Sequence, residues 1–241
     1  MNDTRQLPVV LLHGLFGKPG NWDECVRHLA PRGPVLVPDL GLFALPAAQA
    51  NVEGIGASVG DWLRTRGVER AVLVGNSLGG HVALHLAVSR PELAAALVLT
   101  GSSGLFERGF ERVPRHPSRE WLIDRIREVF FDGAYVTPAL VDEVAAVIND
   151  RTSARQLVRI AKAAKQHPLR AELHRVRCPV LLLWGTQDQI TPPAVAREFQ
   201  ALLPQAELRF IDRCGHAAML EQPAAFSASV GEFLEQIAAT A

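Results

Sequence analysis

Residues 75–80 read Gly-Asn-Ser-Leu-Gly-Gly, and the type and placing of Ser77 suit nucleophilic chemistry. It follows Ala71-Val72-Leu73-Val74, a charge-free run of strand formers, and precedes Leu78 to Leu84, which reads as a helix. A serine on so tight a strand-to-helix turn has its hydroxyl lifted above the sheet. Glycine flanks it because larger neighbours would clash there. The N–H of Leu78 opens the helix without an intrahelical acceptor, so it is free to face a developing oxyanion. A serine hydroxyl is a weak nucleophile at neutral pH and needs a base, which in turn needs an orienting group. His216, in Cys214-Gly215-His216-Ala217, is the candidate base, since imidazole titrates in the useful range. Two carboxylates compete to orient it. Asp188 lies in Gly185-Thr186-Gln187-Asp188, and Asp212 stands four residues before the histidine.

These residues need elements to carry them. Apolar strand-like runs recur at 8–12, 34–37, 71–74, 95–99, 180–184 and 207–211. They are continuous rather than alternating, which suits parallel strands covered on both faces. Val52, Ile55, Val59 and Trp62 recur at helical spacing within 51–66. Thr191-Pro192 predicts a further helix start, with threonine as cap, and Val195, Phe199 and Leu202 as its buried stripe. Residues 223–237 predict a closing helix. Strands alternating with helices imply an α/β fold with a doubly wound, mostly parallel sheet. Ligands then bind beyond the carboxyl ends of the strands, where Ser77, Asp188 and His216 all fall. About 75 residues between the fourth and fifth runs contain no good strand, and a structureless loop of that size is anomalous. The segment reads as helices: one capped by Ser118, one opened by Thr137-Pro138, and one over about 153–166.

Taken together, the chain resembles the α/β-hydrolase superfamily over about Leu7 to Ile237. The resemblance rests on four ordered motifs: His13-Gly14-Leu15-Phe16-Gly17 after a strand, the serine turn, the Asp188 loop and the His216 loop. The order Ser, Asp, His, each past a strand end, is the order of that superfamily. The resemblance implies Asp188 rather than Asp212 as the acid, and the N–H of Leu15, beside that of Leu78, as oxyanion donor. It makes His13 a support for its loop. It makes residues 105–175 a helical cap inserted into a core of 1–104 and 176–241. The implied activity is cofactor-independent hydrolysis of small-to-medium carboxylic esters through an acyl-enzyme on Ser77. The alternative is carbon–carbon hydrolysis of the meta-cleavage-product type, whose Gly-Asn-Ser-Met-Gly-Gly resembles residues 75–80. A ligand receptor on the same fold is a more distant alternative. Phe16, Trp121, Phe130 and Met219 are the candidate substrate contacts.

The chain differs from many relatives in two places. Few residues precede the first strand, so an initial antiparallel hairpin is expected to be reduced or missing. Residues 39–46, Asp-Leu-Gly-Leu-Phe-Ala-Leu-Pro, replace a glycine- and serine-rich loop and read as apolar and pocket-lining.

The 241 residues carry 25 Lys+Arg against 25 Asp+Glu, so net charge gives no case for nucleic acid or an anionic membrane surface. Three scattered cysteines suggest neither a disulfide framework nor a zinc site. No apolar run is long enough to span a bilayer, and a cytoplasmic protein acting on a small molecule is expected. His81 and His85 have metal-ligand spacing but no intervening glutamate, so they read as one helix face, and no metal is expected. Arg108, Arg112, Arg115 and Arg119 alternate with Glu107, Glu111 and Glu120, which reads as a solvated mixed-charge surface.

Overall fold

The computed structural model describes residues 7–106, 114, 117–203 and 205–240. Most of the mixed-charge stretch, 107–113 and 115–116, lies outside the described residues. The strands are β1 (Val9–Leu12), β2 (Val35–Leu36), β3 (Ala71–Asn76), β4 (Ala94–Thr100), β5 (Val180–Gly185) and β6 (Ala206–Ile211). They form one sheet in the order β2-β1-β3-β4-β5-β6, with every pairing parallel. All six correspond to the apolar runs. The described residues hold no antiparallel hairpin ahead of β1.

Successive side chains of a strand point to opposite faces, and both faces are covered here. Val10, Leu12, Leu73, Leu97, Leu99, Leu182 and Trp184 share one apolar layer with α2 (Val52–Arg64), α3 (Leu78–Ser89) and α7 (Pro193–Leu202). The alternate residues Val9, Leu11, Val72, Val74, Val98, Leu181 and Leu183 share the other with α1 (Asp23–Leu29) and α9 (Pro223–Thr240). Double coverage is why the runs are unbroken in the sequence.

The chain passes from β1 out to the edge strand β2 and then returns to β3 on the other side of β1. The crevice where strand order reverses therefore lies between the carboxyl ends of β1 and β3, the usual ligand position in such sheets. The His13–Gly17 loop leaves one of those ends and Ser77 the other.

Between β4 and β5 lie α4 (Arg119–Arg127), α5 (Pro138–Asn149) and α6 (Arg151–Lys165). Their starts are written in side chains. Ser118 accepts from Trp121 N, Thr137 from Leu140 N and Asp150 from Ser153 N. Leu122, Ile126, Phe130 and Val141 join the α1/α9 layer, whereas Ile160 and Ala164 join the α2/α3 layer. Three of the segment's polar contacts run to loops at the carboxyl ends of strands. Lys18 Nζ lies 2.7 Å from Glu143 Oε1, Gln156 Nε2 donates to Leu45 O at 2.9 Å, and His216 N donates to Val129 O at 2.8 Å. In the loop after β2, Leu40 and Leu42 are buried in the α2/α3 layer, with Leu45 packed against it.

Candidate active site

Ser77 stands between β3 and α3 with φ 54° and ψ −118°, a left-handed conformation rare for a residue with a side chain. The surroundings enforce it. Its N–H donates to Thr100 O at 3.1 Å, and its carbonyl accepts from His81 N at 3.1 Å and Ser103 N at 3.2 Å. The turn closes because strand and helix nearly touch. A Cβ on Gly75 would run into the backbone of Gly79, and one on Gly79 into the carbonyl of Leu12. The β1 loop packs against the same point, since a Cβ on Gly14 would sit 3.2 Å from Ser77 Cβ.

Asp188 is 3% exposed, and all its carboxylate bonding is internal. Oδ1 accepts from Ile190 N at 2.8 Å and Thr191 N at 2.9 Å. Oδ2 accepts from Thr191 Oγ1 at 2.9 Å and lies 2.9 Å from His216 Nδ1. An ionised carboxylate only accepts, so the imidazole proton sits on Nδ1 and Nε2 keeps its lone pair. Asp212 is turned elsewhere: it accepts from Thr186 Oγ1 at 3.0 Å and Gln187 Nε2 at 3.3 Å. Those bonds, with the backbone of Arg213, hold its carboxyl below the ordinary aspartate range.

The histidine backbone is held from two sides. Asn76 Nδ2 donates to Thr100 O at 3.1 Å and to His216 O at 3.0 Å, tying β3, β4 and the histidine loop together. The N–H of His216 goes to Val129. His13 holds its own loop. Nδ1 lies 2.9 Å from Gly14 O, and Nε2 accepts from Leu40 N at 3.3 Å. One neutral tautomer satisfies both contacts, and burial lowers the pKa of this ring. Cys214 adjoins the histidine loop, but burial, with the charges of Glu221 and Asp188, pushes its thiol up to about 12. It is no competing nucleophile at neutral pH.

Thr191 departs from its expected place. It does not cap α7, whose N-cap is Pro192, because its hydroxyl is recruited by Asp188. The proposed substrate contacts divide. Phe16 is 44% exposed on the β1 loop. Phe130 is buried and stacks on Tyr135 with centroids 5.5 Å apart. Met219 is buried in the α1/α9 layer, and Trp121 packs against that layer. His81 and His85 meet a third histidine, His167, which no local pattern pointed to. His81 Nε2 lies 2.9 Å from His167 O and 3.2 Å from His167 Nδ1.

A hydroxyl on a strained strand–helix turn, with a carboxylate-held imidazole on a neighbouring loop, is the arrangement of a nucleophilic hydrolase. The alpha/beta hydrolase family model matches residues 9–229, and the chain belongs to that family. It is a hydrolase. It is 29% identical to the 2-hydroxy-6-oxo-6-phenylhexa-2,4-dienoate hydrolase of Burkholderia cepacia, over 97% of this chain and 90% of that one. Among solved structures, an α/β hydrolase from the metagenome of Mar Chica lagoon sediments superposes with a TM-score of 0.79 at 33% identity. That match covers 96% of this chain and 91% of the other. A serine hydrolase involved in carbazole degradation superposes with a TM-score of 0.80 at 27% identity, covering 95% and 91%. No helix among the described residues is long and apolar enough to cross a membrane.

Proposed function

We propose that this chain hydrolyses small-to-medium carboxylic esters, with Ser77 as nucleophile, His216 as general base and Asp188 as its orienting acid. The observation that carries the reading is the 2.9 Å contact of His216 Nδ1 with the saturated carboxylate of Asp188, on loops beside the Ser77 turn. Ser77 Oγ attacks the ester carbonyl and passes its proton to His216 Nε2. The N–H groups of Leu15 and Leu78 receive the oxyanion. His216 returns the proton to the departing alcohol, then draws one from water, which attacks the acyl-enzyme and releases the acid. No cofactor enters these steps.

The helical segment is read as a cap over 105–175, enclosing the acyl group and limiting chain length. Phe16, Trp121, Phe130 and Met219 are assigned as substrate contacts. The buried polar groups near Ser77 are already engaged: His13 with Gly14 and Leu40, Asn76 with Thr100 and His216, Ser102 with Ser103. Ester cleavage asks nothing further of them. Cytoplasmic residence belongs to the same reading, and free thiols at Cys25, Cys178 and Cys214 suit a reducing compartment.

A second reading, carbon–carbon hydrolysis of a vinylogous 1,5-diketone acid, draws on Gly75-Asn76-Ser77-Leu78-Gly79-Gly80 and on the relative named for a phenylhexadienoate. Against it stands Ala217, where such enzymes often carry tryptophan. Fluorophosphonate labelling of Ser77, followed by kcat/KM for aryl butyrate, aryl octanoate, emulsified lipid and a diketone acid, tests both. The ester reading expects labelling and a preference for the short esters. A diketone preference of many orders of magnitude would replace it with the second reading. An unlabelled, inactive protein would leave the receptor.

A further inference from the structure

Among the described residues only two carboxylates are buried, Asp188 and Glu221. The mechanism uses the first. Glu221 ends the short helix α8 (Ala218–Glu221), five residues after His216, and is 7% exposed. Its oxygens do not meet a cation. Oε2 accepts from Gly215 N at 2.7 Å, on the residue before the proposed base. Oε1 accepts from Phe131 N at 2.7 Å, with Oε2 3.2 Å from the same donor. Its carbonyl accepts from Tyr135 Oη at 3.2 Å, and that ring stacks on Phe130. One side chain thus joins the histidine loop to residues 129–131 of the helical segment. The two strands of chain it joins are in contact: a Cβ on Gly215 would lie 2.6 Å from Val129 O and 2.8 Å from Phe131 N.

We propose that Glu221 is a positioning residue for catalysis, locking the 129–131 turn to the histidine loop so that His216 stays in register with Asp188 and Ser77. The proposal rests on the serine-hydrolase reading above. Asp188 fixes the His216 ring at Nδ1 alone, so the place of Nε2 depends on the backbone frame. That frame hangs on Val129 O, which receives His216 N, and on Asn76, which donates to His216 O. Glu221 sets the first of these by holding Phe131 and Gly215 together. Each carboxylate oxygen stands 2.7 Å from one of the two inward-pointing N–H groups, a pairing that an amide, with a single acceptor oxygen, does not reproduce. Burial raises the pKa of this carboxyl, and the charges of Asp132 and Asp188 add to the rise, while the bonds from Gly215 and Phe131 oppose it. The hold matters because a 1 Å misplacement of a catalytic group can cost about 10²-fold in rate.

The test compares the full-length protein with Glu221→Gln and Glu221→Ala. Circular dichroism and thermal melting establish folding. The rate of Ser77 labelling by a fluorophosphonate reports the base independently of substrate binding, and kcat and KM are measured on an aryl butyrate. The labelling rate and kcat should fall together by about 10²-fold in Glu221→Ala, with KM nearly unchanged. Glu221→Gln should fall between, since one acceptor oxygen survives. Folded variants that label Ser77 at the wild-type rate would overturn the proposal, as would a KM effect with kcat intact. Failure of Glu221→Gln to fold would assign the residue to the fold and likewise overturn it. If the wild-type protein itself does not label at Ser77, the serine-hydrolase reading fails instead, so the two failures are distinct.

Discussion

Every residue of β3, β4 and β5 is buried, whereas α5 buries Val141 alone and α4 only Leu122 and Ile126. The first region ends in Ser77 and the Asp188 loop. The second meets the histidine loop where Val129 O accepts from His216 N. In the first, Asn76 and Asp188 are each fixed by two bonds to the backbone beside a close-packed layer, where a change of one methylene is felt. In the second, side-chain caps set where helices begin, and a few buried residues set where they lie. The difference separates a close-packed centre, which holds one arrangement, from helices that a few buried residues anchor. Glu221 ties the second region to the histidine loop, and Asn76 ties that loop to the first.

The sharpest way to break this contrast is at the serine. Ser77→Ala should lower ester turnover by about 10⁴-fold or more while the protein stays folded, measured by steady-state kinetics beside circular dichroism. Near-normal turnover would remove the rigid region from the chemistry altogether. Asp188→Asn should cost about 10³–10⁴-fold, because the imidazole loses its orienting anion. Asp212→Asn should remain near wild type, and the reverse ranking in folded proteins would transfer the acid's role.

Stability offers a second line. Leu182→Ala in β5 should cost about 2–5 kcal/mol in urea unfolding, through lost burial and an unfilled cavity. Val141→Ala in α5 removes two methyl groups and should cost about 1.5 kcal/mol. Equal costs would erase the proposed difference in packing.

Acid probes the loop between them more gently. Burial lowers the His13 pKa from its ordinary 6.5, so the unfolded chain takes up this proton first as pH falls. The stability that neutral His13 contributes is complete above about 6.5 and is lost progressively as pH drops towards the folded value. Urea midpoints at pH 7.5 and 5.5 should therefore differ, and by less in His13→Gln. His85, also lowered by burial, adds in the same direction. Glu221 acts oppositely at lower pH. Its carboxyl is raised, so its contribution is lost as pH rises from about 4.5 through the folded value.

What could be read from the sequence follows the same division. All six strands stand near their apolar runs, because a doubly covered parallel strand leaves an unbroken signature. The starts of α4 and α5 were legible in Ser118 and Thr137, since a cap acts over three residues. The recruitment of Thr191 by Asp188 was not, because the same Thr-Pro pair also suits a helix start. The Asp188–His216 pairing was suggested by family order, while spacing alone kept Asp212 as a competitor. Asn76, Glu221 and His167 were missed for one reason. Each acts across 86 or more residues in some of its bonds, and nothing local marks the partner.

The backbone at Ser77 carries a consequence for how this protein can change. Its φ of 54° suits glycine, and a side chain there costs about 1–3 kcal/mol, part of which Ser77→Gly would return against the added freedom of its unfolded chain. Ser77→Gly should melt slightly higher than wild type, and Ser77→Ala should not. A population selected for heat resistance with no activity screen is therefore expected to accumulate Ser77→Gly. One selected for turnover must hold the worse residue for the fold at that site, and find its compensating substitutions elsewhere.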